Sequence, residues 1–149
     1  MSDYLEFCLD KFVFKVALDR LYSEEGVWVK LEDPYVRIGI SDYLQQRSGD
    51  VAFAEAKPEG TTLALGEEIA VIETIKVNIS LTAPVTGRVI EVNPALSTSP
   101  EAINLDPYGA GWLVVIEATE WDSNLKQLMT PQAYFVKIKQ EAEEEVKKE

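Results

Sequence analysis

Gly66-Glu67-Glu68-Ile69-Ala70-Val71-Ile72-Glu73-Thr74-Ile75-Lys76-Val77-Asn78-Ile79-Ser80-Leu81-Thr82-Ala83-Pro84-Val85-Thr86-Gly87 is the stretch that decides the fold. Two short apolar arms, 69–72 and 79–81, flank a tight bend that contains Lys76. Gly66 lies ten residues before that lysine and Gly87 eleven after it. A strand pair of this length places Lys76 at a hairpin tip, exposed, with both flanks anchored in a sheet. Such a lysine is reachable by a modifying enzyme while its backbone stays still.

Short strands continue on both sides. Val27, Val29 and Leu31 alternate with Trp28, Lys30 and Glu32; Asp33-Pro34 supplies turn chemistry, and Val36, Ile38 and Ile40 share one face of the return strand. Ser41 is placed to cap a short helix over 42–47, ended by Ser48-Gly49-Asp50. Strands are expected over 51–56, 88–92 and 112–117, with turns at 58–60 and 84–87. Thr119 is the expected cap of a helix through Leu125, Leu128 and Met129. Pro131 suits the first position of a final charged helix, in which Glu143–Lys147 and Glu144–Lys148 stand four apart. Near the start, Leu5, Cys8, Leu9, Phe12, Val16 and Leu21 are spaced in a partly helical way, broken by the run Phe12-Val13-Phe14, and a helix is the expectation over 4–22. The whole is expected to be mostly β with helical covers, a small flattened β-barrel or sandwich. One domain over residues 1–149 is the simplest division: an N-terminal extension 1–21, a β core 22–118 and C-terminal helices 119–149.

The chain has no histidine, which excludes Ser–His and Cys–His nucleophile pairs. One cysteine, Cys8, closes neither an intramolecular disulfide nor a Cys/His zinc site. Fourteen basic against 26 acidic residues give a net charge of −12, which repels nucleic acid and favours basic partner surfaces. No window approaches the roughly 20 apolar residues of a membrane span and no secretory signal is visible; with a single cysteine, a cytoplasmic protein is expected, and a monomer is the expected state. These features lean away from an enzyme.

Several motifs, in order, resemble the glycine cleavage H-protein family, and more broadly lipoyl and biotinyl carrier domains. The resemblance runs from Tyr22 to Tyr134. Val36-Arg37-Ile38-Gly39-Ile40-Ser41-Asp42-Tyr43 resembles the family's entry to its short helix, and Gly49-Asp50-Val51-Ala52-Phe53 the segment after it. Glu73-Thr74-Ile75-Lys76-Val77 is similar to E-S-V-K-A, whose lysine is the lipoylation site. Ala83-Pro84-Val85-Thr86-Gly87 and Val92-Asn93-Pro94-Ala95-Leu96 resemble the turn and segment that follow. Asn104-Leu105-Asp106-Pro107-Tyr108-Gly109-Ala110-Gly111-Trp112 matches N-x-x-P-Y-G-x-G-W, which separates H proteins from generic carrier domains. Biotin carriers tend to place methionine on both sides of the lysine; here Ile75 and Val77 stand there instead, which favours lipoate.

The resemblance implies a non-catalytic carrier with lipoate amide-linked to Lys76, and Glu73 as a recognition point for a lipoyl ligase or transferase. It implies that the arm shuttles an aminomethyl group and electrons among glycine decarboxylase, aminomethyltransferase and dihydrolipoamide dehydrogenase. A relaxed disulfide prefers a dihedral near 90°, which a five-membered dithiolane ring does not reach, so the ring is strained and readily reduced. Tyr108 and Trp112 read as packing residues, and Asp50 and Asp106 as turn formers before docking carboxylates.

The sequence departs from the family at Y-S/T-x-x-H-E-W, where Gly26 and Val27 replace the His-Glu pair. Cys8 lies in a longer N-terminal segment; a thiol near the dithiolane exchanges with it, whereas a buried one is a small hydrophobe. The departures leave room for two alternatives: an H-like lipoate-binding protein that carries sulfur intermediates for a heterodisulfide-reductase-like system, and a lipoyl relay in cofactor assembly.

Overall fold

The structure is a computed structural model that describes residues 3–147, the last of them by its backbone only. It opens with β1 (Tyr4–Leu9), β2 (Phe12–Ala17) and the two-residue β3 (Leu21–Tyr22). A hairpin of β4 (Val27–Glu32) and β5 (Tyr35–Ile40) leads into α1 (Asp42–Ser48). Then come β6 (Val51–Ala56), β7 (Thr62–Leu63), β8 (Glu68–Thr74), β9 (Asn78–Thr82) and β10 (Gly87–Val92). Two single-turn helices, α2 (Ala95–Thr98) and α3 (Ala102–Leu105), precede β11 (Val114–Ala118). The chain ends in α4 (Trp121–Leu125) and α5 (Pro131–Lys147).

Six strands form one antiparallel sheet in the order β3-β4-β5-β11-β10-β7, and β6-β8-β9 form a second. Neither closes into a barrel, so the fold is a flattened sandwich. Val27, Val29, Ile38, Ile69, Ile72 and Ile116, all buried, fill the space between the sheets. Strand alternation turns Trp28 to the other face, where it joins a second cluster with Tyr22, Tyr43, Tyr134 and Ile138 beneath α5. β4 therefore holds both clusters together.

The expected cap at Ser41 is present. Its Oγ accepts from the Leu44 amide at 3.1 Å and lies 2.6 Å from the Tyr134 hydroxyl, fully buried. Ser41→Ala removes the cap and strands the Tyr134 hydroxyl, so a loss of about 1–3 kcal/mol is expected in urea unfolding. Pro131 begins α5 as expected, and Thr130 Oγ1 accepts from the Ala133 amide at 3.1 Å.

The N-terminal helix expected over 4–22 is not formed. β1 and β2 make an antiparallel hairpin with Phe7 opposite Phe14 and Leu9 opposite Phe12. Asp10 turns the chain with φ 55°, a conformation aspartate tolerates better than most side chains. Leu5, Phe7 and Leu9 share the inner face with Phe12, Phe14 and Val16, a period of two that docks on α5 through the Phe7–Phe135 edge contact at 5.4 Å. Cys8 consequently points outward and is exposed, not a buried hydrophobe.

Other differences are smaller. Thr119 does not cap α4; its hydroxyl lies 3.5 Å from the Thr86 carbonyl, and the helix stops at Leu125. Met129 leaves the helix because its backbone exchanges two hydrogen bonds with Tyr22, of 2.7 and 3.0 Å. The last strand begins at Val114, since Trp112 belongs to the preceding turn. The expected pairs Glu143–Lys147 and Glu144–Lys148 depend on lysine side chains outside the described residues.

Candidate functional site

Lys76 sits at the tip between β8 and β9, in a turn that a single hydroxyl organises. Thr74 Oγ1 accepts from the Lys76 amide at 3.1 Å and from the Val77 amide at 2.9 Å. The same oxygen is 2.7 Å from the Ser48 carbonyl, at the end of α1. The Thr74 amide donates to the Val77 carbonyl at 2.8 Å, and the Ile75 amide donates to the Asp50 carbonyl at 3.2 Å. The tip is thus closed on itself and tied to the α1–β6 connection. Ile75 beside it is 81% exposed, so the fixed backbone lies in open solvent.

The lysine leans on the end of α1. Its Nζ donates to the Arg47 carbonyl at 3.3 Å. The last carbonyls of a helix have no intrahelical partner and carry partial negative charge, which suits an ammonium group. Gly49 caps α1 with φ 93°, and a Cβ built there lies 3.6 Å from Lys76 Cβ. This is a positive-φ position that favours glycine on backbone grounds alone.

Asn104, on α3, secures the floor. Its Oδ1 accepts from the Val51 amide at 2.8 Å, and its Nδ2 donates to the Gly49 carbonyl and to Gln45, both at 3.0 Å. Glu73 is exposed at the end of β8, opposite Asn78.

Two grooves flank the tip. One of about 380 Å³ lies between α1 and α5 and is edged by Glu24, Glu25, Arg47, Lys137 and Glu141. The other, of about 390 Å³, includes Lys76 in its lining and runs between the N-terminal hairpin and the far end of α5. Tyr43 borders both, and burial raises the pKa of its phenol above the ordinary value, keeping it protonated.

The remaining sequence candidates have structural partners. Tyr108 packs against Trp28 and Tyr22, and its hydroxyl donates to the Lys15 carbonyl at 2.7 Å. Trp112 lies 4.4 Å beneath the Arg37 guanidinium. Asp106 Oδ2 accepts from the Ala110 amide at 2.9 Å within its own turn. Asp50 serves the site through its backbone carbonyl. Val27 is completely buried in the sandwich core, and Gly26 has φ 97° with Tyr134 Oη 3.0 Å from a built Cβ. A histidine at position 26 is therefore strained on this backbone. Sequence reading missed Thr74 as the organiser of the turn, although a hydroxyl two residues before the tip lysine is a recognisable turn signal. It also missed the Arg47 and Asp50 carbonyls, which no side-chain pattern reveals.

The model of the glycine cleavage H-protein family matches residues 20–142. Glycine cleavage system H protein 4 of Aquifex aeolicus is 39% identical over 136 residues, 91% of this chain and 79% of that protein. The H protein of Coprothermobacter proteolyticus is 44% identical over 121 residues, 80% of this chain and 94% of that one. In three dimensions the chain is similar to the H protein of Mycobacterium marinum, with TM-score 0.70 and 31% identity over 80% of this chain and 95% of that one. Its hairpin-tip geometry and these likenesses lead to one conclusion: the chain belongs to the glycine cleavage H-protein family, whose members are non-catalytic lipoyl carriers.

Proposed function

We propose that Lys76 is the attachment point of a lipoyl group. On this reading the chain carries aminomethyl groups and electrons among glycine decarboxylase, aminomethyltransferase and dihydrolipoamide dehydrogenase. The observation that supports it best is the Lys76 tip, a reachable amine on a backbone held by Thr74, Asp50 and the end of α1. When bound, the group supplies a strained, reducible ring that takes up a carried group and electrons together. The protein's residues supply position: the Thr74 hydroxyl fixes where the arm is rooted, and the Arg47 carbonyl holds the bare ammonium against α1.

Glu73, exposed three residues before Lys76, is a recognition point for the lipoyl ligase or transferase. The net charge of −12 speeds encounter with basic partner surfaces and opposes nucleic acid. We infer a monomeric cytoplasmic protein of one domain. β4 in both apolar clusters supports the single domain, and no helix among the described residues is long and apolar enough to cross a membrane.

A second reading, transport of sulfur intermediates for a heterodisulfide-reductase-like system, is favoured by one observation. Val27, where the family motif has glutamate, is sealed in the core and presents no carboxylate to a bound load. Loading assays separate the two. The lipoylated protein, mixed with glycine and glycine decarboxylase, is expected to gain an aminomethyl increment by mass; a gain only from sulfur donors contradicts the glycine reading.

The root of the arm is tested separately. Thr74→Val is expected to slow lipoyl transfer by a purified ligase about tenfold by loosening the lysine's position. The same change costs about 1 kcal/mol in unfolding, and Thr74→Ser retains both properties. Glu73→Gln is expected to slow transfer several-fold with no change in melting. An unaltered rate for either Thr74→Val or Glu73→Gln removes that residue from the assignment.

A further inference from the structure

We infer that Asn104 is a positioning residue for Lys76. Its side-chain amide, on α3, fixes the tip from outside the hairpin by holding the one peptide unit that joins Asp50 to Val51. This role rests on the assignment of lipoate to Lys76.

The coupling runs through a single plane. Asn104 Oδ1 accepts from the Val51 amide at 2.8 Å. That N–H belongs to the same peptide unit as the Asp50 carbonyl, which accepts from the Ile75 amide at 3.2 Å. The unit is trans and planar, so its N–H and C=O point in opposite directions and neither end turns without the other. Hydrogen bonds in series also polarise one another, so a held N–H strengthens the acceptor at the far end. One side chain is thereby linked to the residue that precedes the lysine.

The rest of the amide holds the adjoining backbone. Asn104 Nδ2 donates to the Gly49 carbonyl and to Gln45 Oε1, both at 3.0 Å. The Ser48–Gly49 unit before it is fixed at both ends: its N–H donates to the Gln45 carbonyl at 3.1 Å, and its carbonyl lies 2.7 Å from Thr74 Oγ1. The site asks for an acceptor toward Val51 and a donor toward Gly49 on one planar group. Asparagine offers both, aspartate only the acceptor and alanine neither.

The mount beneath Asn104 is itself fixed. Its neighbour Ile103 is completely buried in the sandwich core. Gly111 passes so close to α3 that a Cβ built on it lies 2.5 Å from the Ala102 carbonyl oxygen, and the Gly111 amide donates to the Asp106 carbonyl at 2.9 Å. Thr74 shapes the turn from within and moves with it, whereas Asn104 fixes the turn relative to the rest of the protein.

The test uses the full chain with purified lipoate ligase, lipoate and ATP, in wild type, Asn104→Ala, Asn104→Asp and Asn124→Ala. Asn124 is the matched control: it is buried and its Oδ1 accepts from the Thr86 amide at 2.8 Å, in the turn at the far end of β9 from Lys76. Asn104→Ala is expected to lower kcat for lipoyl transfer about tenfold with little change in KM for the carrier, because a displaced amine loses rate before binding. Native-state hydrogen exchange should show the Ile75 amide losing protection in Asn104→Ala and keeping it in Asn124→Ala. Asn104→Asp retains the acceptor for Val51 and is expected to stay within about threefold of the wild-type rate, with Ile75 still protected. A wild-type kcat in Asn104→Ala, equal slowing in Asn124→Ala, or an aspartate variant as slow as the alanine one overturns the positioning role and leaves the lysine assignment standing. Failure of wild-type Lys76 to accept lipoate from a ligase active on another carrier overturns that assignment and the positioning role with it.

Discussion

Replacing Lys76 by arginine is expected to abolish lipoyl incorporation while leaving the fold unchanged. Arginine keeps the charge, but its guanidinium is protonated at any working pH and offers no free amine for amide formation. The native side chain is exposed, and its recorded hydrogen bond is the 3.3 Å contact with the Arg47 carbonyl, which a guanidinium also makes. Unfolding in urea should therefore change by no more than about 0.5 kcal/mol. Incubation with ligase, lipoate and ATP followed by mass measurement checks the result. Incorporation that persists in Lys76→Arg places the modification on another lysine.

The largest stability effect is expected at Trp28. Its side chain is completely buried, with Nε1 donating to the Pro107 carbonyl at 2.9 Å and the Arg20 guanidinium 4.5 Å from the ring. On the neighbouring strand, a Cβ built on Gly39 comes within 2.4 Å of the indole, so the ring occupies the space a side chain there requires. Trp28→Ala opens a cavity, orphans the Pro107 carbonyl and leaves Arg20 without its aromatic shelf. A cost of about 3–5 kcal/mol is expected, which is a large share of the roughly 5–15 kcal/mol that holds a domain together. The melting temperature should fall by about 10 °C or more in calorimetry. A loss below about 1 kcal/mol contradicts the packing described here.

The parts of the fold legible in the sequence are those encoded locally. The alternation in 27–32 and 35–40, the turn residues Asp33 and Pro34, and the cap at Ser41 each specify their element without distant help, and each is formed. The Lys76 hairpin is of the same kind, because its apolar arms and framing glycines bound one tight bend. The N-terminal hairpin was not legible. Leu5, Cys8, Leu9, Phe12 and Val16 mimic a helical stripe, and only the pairing of Phe7 with Phe14 over Tyr43 and Phe135 decides for strands. That choice belongs to tertiary packing, not to local propensity. Similarly, β7 is two residues long and exists because β10 offers an edge.

At the site, the lysine was legible and its support was not. Thr74 stands inside the motif, but its hydroxyl acquires meaning only when the turn brings two amides to it. Gly26 illustrates the reverse case. The residue change was visible in the sequence, while the positive φ that disfavours histidine and the complete burial of Val27 required coordinates.

The account is tested most directly by the intact mass of the protein made in its native host, with peptide mapping around Lys76. A lipoyl-sized increment confined to Lys76 is the predicted result. A bare Lys76, in cells whose other lipoyl proteins are fully loaded, contradicts it.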